Sequence, residues 1–141
     1  MSNYKELTVW QLAIELSARL HALARSFPRS GAPGLKSQLL RAVGSIHSNI
    51  AEGSDATDAE YARFITVAIG SANETESHLI HATRIGLLEK GTSETLQLEL
   101  HRVRRMLFGL RKYLQSRSHD ASPPPTTAPE ASASRSRTAD A

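Results

Sequence analysis

The sequence predicts an all-α protein: an antiparallel up-down four-helix bundle over residues 1–115, followed by a disordered Ser/Ala/Pro-rich tail over 116–141. Apolar residues recur in steps of three and four along four successive segments, which lines them up on one stripe of a helix. No segment alternates apolar and polar residues as a strand does. The prolines of the first 115 residues, Pro28 and Pro33, fall in one short stretch, so the connections are brief and the helices uninterrupted.

The first helix carries the stripe Val9, Ala13, Leu16, Leu20, Leu23 and Phe27, with Thr8 and Gln11 spaced as a capping box. Pro28 and then Ser30-Gly31-Ala32-Pro33-Gly34 stop it and form a loop. The second helix runs from about Leu35 to Glu52 with Leu35, Leu39, Val43, Ile46 and Ile50 inward, and Gly53 as its stop. Thr57 and Glu60 form a second capping box. They open a long third helix, whose buried line is Tyr61, Ile65, Ala68, Ala72, Thr75, Leu79 and Ala82 and whose end is expected near Lys90-Gly91. The fourth follows Thr92 or Ser93 on the seam Leu96, Leu100, Val103, Leu107, Leu110 and Leu114. After Gln115 no large apolar side chain occurs, so the tail cannot offset its ordering entropy by burial.

Composition narrows the function classes. The absence of cysteine excludes disulfides, a thiol nucleophile and cysteine-based metal sites. No segment approaches the ~18 apolar residues of a membrane span, and the first residues lack a basic region followed by an apolar block. A cytoplasmic protein without membrane association is the expectation. The net charge of +3 lies wholly within residues 1–115, because the tail's charges cancel. Such an excess makes a nucleic-acid binder only if it is clustered or multiplied by assembly.

More apolar surface is present than one bundle needs. Leu7, Trp10 and Ile14 form a second line on the first helix, and Met106, Phe108 and Tyr113 leave the main seam of the fourth. Monomers seldom leave such patches in water, so these six residues are the candidate interface of a homo-oligomer.

The strings LTVWQLAIEL (7–16), SFP (26–28), GLKSQLLRAVGSIHSNIAEG (34–53) and EYARFITVAIGSANETESHL (60–79), with the late leucine seam, carry a family resemblance. The chain resembles the four-helix-bundle proteins encoded by intervening sequences in bacterial large-subunit ribosomal RNA genes. That family includes the accessory variability proteins of diversity-generating retroelements. The resemblance covers residues 4–115, and His47 stands where the family more usually has proline. It implies a ring-forming protein, a homopentamer. For the retroelement branch it implies a basic ring surface that binds nucleic acid and a reverse transcriptase. For the ribosomal-RNA branch it implies no established activity.

Four constellations bear on chemistry. Asn49 and Glu52 are neighbours on one helical face, and the preferred reading is that they tie down the turn into the third helix. Arg41 and Glu74 are expected to form a semi-buried ion pair that fixes helix register. Together these four residues make a structural polar motif. Glu74, His78 and His81 share a face at metal-ligand spacing. Di-metal bundles, however, use two Glu-x-x-His motifs, and none occurs here, so neither a metal nor a cofactor is expected. Arg41 and His47 fit a loose pattern of all-helical ribonucleases, the alternative reading to a protein without catalysis. At about 100° per residue, though, they stand about 120° apart. Phosphate-cradling glycine loops and hydrolase elbows are absent.

The fourth helix concentrates positive charge in Arg102, Arg104, Arg105, Arg111 and Lys112, the candidate RNA- or DNA-backbone surface. Relative to the leucine seam Arg105 and Lys112 point outward while Arg104 and Arg111 flank it, and a competing reading pairs the basic helix with acidic neighbours within the bundle, such as the third helix, or between subunits. With seven aromatic residues in the chain, any nucleic-acid binding is expected to be backbone-driven and salt-sensitive.

Overall fold

The computed structural model describes residues 3–28 and 32–120. Four helices, α1 (Thr8–Ala24), α2 (Leu35–Glu52), α3 (Asp58–Arg84) and α4 (Lys90–Asp120), and two short 3₁₀ turns make up its regular structure, with no strand among the described residues. Contacts between neighbours run in opposite directions along the chain. Ser45 meets Ser71 while Ile50 meets Tyr61, and Glu76 meets Arg104 while Asp58 meets Arg117. The helices are therefore antiparallel. Each packs mainly on its sequence neighbour, and α1 touches α4 least.

The apolar stripes form one continuous core. Leu16, Leu20, Leu39, Ile46, Ile50, Ile65, Leu79, Leu100, Leu107 and Leu114 are almost fully buried. Leu23 and Leu110 only edge it, and Ala24 takes the inward place beside Leu20.

Helix ends differ from the sequence expectation at both ends of α1, at the junction of α3 with α4, and at the end of α4. Thr8 does not cap α1; Leu7 occupies that position without a side-chain bond. A 3₁₀ turn at Tyr4–Glu6, capped by Asn3, brings the Lys5 carbonyl over the helix start, and Gln11 Nε2 donates to it at 2.9 Å. At its other end α1 stops at Ala24, where Ser26 and Phe27 donate to carbonyls three residues back. Phe27 is still buried beyond the helix. Finally, α3 ends at Arg84 rather than near Lys90. Gly86 adopts φ 82°. Gly86 N–H donates to Thr83 and Leu87 N–H to Ala82, the paired bonds of a glycine-terminated helix. That stop frees Lys90 to begin α4 two residues before Thr92.

The capping box at Thr57 and Glu60 is present, with both reciprocal bonds. α2 runs unbroken through His47. Gly53 ends α2 at φ −80°, an ordinary helical value, so its role is space. A β-carbon there would lie 2.5 Å from Tyr61 Cδ1 and 2.9 Å from Phe64 Cβ. α4 continues to Asp120, so the predicted tail begins inside this helix, and residues 121–141 lie outside the described residues, as do Ser30 and Gly31 of the first loop.

Candidate functional site

The five cations of α4 divide by direction. Arg104 lies against α3, where its guanidinium donates to Asn73 Oδ1 (2.6 Å) and Glu76 Oε2 (2.7 Å) and contacts His101 Nδ1. Arg111, half-buried, donates to Thr66 Oγ1 at 3.3 Å and lies 4.9 Å from the Phe108 ring centroid. Arg102, Arg105 and Lys112 are exposed, and no hydrogen bond or ion pair holds them among the described residues. Leu98, 70% exposed, shares their outward face. The acidic third helix thus engages Arg104, and through Asp58 also Arg117 (3.2 Å), a pairing the sequence reading missed. Neither partnership has a sequence signal, because each joins residues far apart in the chain.

The six candidate interface residues do not form one patch. Trp10 is half-buried, its Nε1 has no hydrogen-bond partner, and the Tyr4 ring packs edge-on to it at 5.4 Å. The N-terminal turn therefore covers part of the line that Leu7, Trp10 and Ile14 begin; all three are half-buried. Phe108 and Tyr113 are exposed, but five residues along a helix place them about 140° apart. Tyr113 carries the Arg117 guanidinium at 5.4 Å, and Met106 is half-buried against the core. The large apolar residues in water include others: Val67, Ile80 and Ile85 of α3 and its C-terminal turn, and Leu98.

The polar motif is rearranged. Arg41 and Glu74 are both exposed and do not pair with each other; Glu74 instead meets His78 Nε2 at 3.3 Å. Register between α2 and α3 is pinned elsewhere, by Ser71 Oγ donating to Ser45 Oγ at 2.9 Å. Asn49 joins this cluster by donating to the Ser45 carbonyl (2.7 Å) and hydroxyl (2.9 Å). It does not tie down the turn, and Glu52 is exposed without a side-chain bond among the described residues. The turn is held by Ser54 Oγ on the Ala51 carbonyl and by the buried Tyr61 hydroxyl on the Ile50 carbonyl. Burial pushes the Tyr61 phenol up to about 12.

His47 is half-buried, and burial, assisted by the charge of His21, lowers it below the ordinary histidine value. Arg41 points into solvent on another side of α2, so the two do not converge on a reacting centre. No group of three metal-ligating side chains gathers among the described residues. No helix among them is long and apolar enough to cross a membrane.

The model of the 23S rRNA-intervening sequence protein family matches residues 5–109. A crystal structure from Bacteroides thetaiotaomicron VPI-5482, of a protein of unknown function in the S23 ribosomal protein family, is similar in fold at TM-score 0.70 and 23% identity. The alignment covers 74% of this chain and 99% of that one. No curated protein matches the chain.

Proposed function

Because the chain belongs to the 23S rRNA-intervening sequence protein family, we propose that it is a non-enzymatic interaction module. Its copies assemble into a ring of five and hold nucleic-acid backbone on the outward face of α4. The observation that carries this reading is the unpaired state of Arg102, Arg105 and Lys112 beside the exposed Leu98. Charges satisfied within a bundle look like Arg104, enclosed by acceptor oxygens; these three have no hydrogen-bond or ion-pair partner among the described residues. A ring repeats such a face in every copy, so a modest charge per chain becomes a strong field. Exposed Val67 and Ile80 of α3 supply apolar surface for the contacts between copies.

The test is fluorescence anisotropy with a single-stranded RNA over a salt series. Three phosphate contacts per copy predict a log–log slope of about −2 for each engaged face, from ~0.7 counterions released per contact. Combined Arg105→Glu and Lys112→Glu is expected to weaken binding by tenfold or more and flatten the slope by more than one. Unchanged affinity and slope in that variant overturn the nucleic-acid part. Sedimentation velocity tests assembly, and a species of 15.4 kDa at every concentration overturns the ring.

A further inference from the structure

We propose that the cleft between the start of α3 and the end of α4 is a phosphate-binding site, taking either the terminal phosphate of a nucleic-acid strand or a free phosphate. The cleft measures about 420 Å³, within the ~300–1,000 Å³ of small-molecule sites. Ala59, Ala62, Arg63 and Thr66 form its α3 wall, and Gln115 and His119 stand on the α4 wall. The two alanines leave the floor open, while Arg63, Gln115 and His119 supply N–H donors from both sides; the Thr66 hydroxyl donates to the Ala62 carbonyl at 3.0 Å.

Its charge is one-sided. Among the described residues no carboxylate lines the cleft, and both acids of the first turn of α3 are engaged. Asp58 holds Arg117 at 3.2 Å, and Glu60 turns back to accept from the Thr57 N–H at 3.4 Å. Arg63 is exposed and has no partner among the described residues, and Arg111 is drawn to the rim by its bond to Thr66. Two guanidinium groups, an imidazole and an amide around one opening suit a compact anion with several acceptor oxygens. Charge-assisted bonds to such oxygens are about twice as strong as neutral ones. This cleft lies at the edge of the outward face of α4, with His119 seven residues, about two turns, beyond Lys112. The inference rests on the proposed function only where the phosphate comes from a strand.

The experiment compares single-stranded oligonucleotides of about twelve nucleotides with and without a terminal phosphate, alongside titration of the full chain with inorganic phosphate followed by amide NMR. The phosphorylated strand is expected to bind about tenfold tighter. Arg63→Glu and Ala59→Glu, both at exposed positions, each abolish that difference, whereas Arg105→Glu with Lys112→Glu weakens both strands alike and preserves the ratio. Inorganic phosphate is expected to shift the Ala59, Ala62 and Thr66 amides, and Arg63→Glu to remove the shift. Amide shifts with equal strand affinities assign the site to free phosphate. Amide shifts with no strand binding leave the cleft standing while the nucleic-acid reading falls. A strand preference that survives Arg63→Glu overturns the site. So do equal strand affinities with no amide shift up to about 20 mM phosphate, well past a millimolar dissociation constant.

Discussion

Tyr61 joins two helices through one oxygen: its hydroxyl donates to the Ile50 carbonyl at 2.9 Å from a buried position. Tyr61→Phe deletes that bond without changing the shape of the core and is expected to cost about 1 kcal/mol in urea unfolding. Gly53→Ala is expected to cost about 1–3 kcal/mol, because its β-carbon meets the ring of Tyr61 and the Cβ of Phe64. His47 gives a pH signature. Its folded value lies below the ordinary 6.5, so the unfolded chain takes up a proton first. Stability is full above that value and declines as pH falls through the lower folded one. His47→Gln should flatten this decline in melts between neutral and mildly acidic pH. Arg41→Ala is expected to change stability by less than about 0.5 kcal/mol, since the side chain is exposed and unpaired.

Among the elements, α3 draws its start from Thr57 and its tie to α4 from Arg104. Thr57→Ala is expected to cost about 1 kcal/mol, read by thermal melting. Arg104→Ala should cost about 1.5–3 kcal/mol, because it removes charge-assisted bonds to Asn73 and Glu76 at a shielded site. A double-mutant cycle with Glu76→Gln measures the coupling. Periodic features were legible in the sequence: all four helices follow from stripes whose spacing is set by the helix itself. The capping box at Thr57 was legible too, because its two residues are three apart. The end of α3 was misread because Lys90-Gly91 resembles a stop, while the operative glycine, Gly86, lies inside an apolar run, Ile85-Gly86-Leu87-Leu88. On the basic face the leucine seam gave the division as well, turning Arg105 and Lys112 outward and setting Arg104 and Arg111 beside it. Which groups Arg104 meets was not legible, because Asn73 and Glu76 lie far away in the chain and tertiary packing alone brings them to it.

For the molecule as a whole, the exposed apolar residues decide between solitary and assembled copies. Val67→Glu is expected to shift sedimentation toward the single chain while leaving the melting temperature of the isolated bundle within a few degrees, because Val67 is outside the core. A second global property follows from the spare contact between α1 and α4. Pairing is concentrated between helices adjacent in sequence, and the Arg19–Glu99 ion pair is the clasp that bridges the open side. Chains whose partners are local form their structure quickly, in microseconds to milliseconds for helical bundles. The nascent polypeptide can therefore stack hairpin upon hairpin as it leaves the ribosome, and only the final latch has to wait for the last helix to emerge.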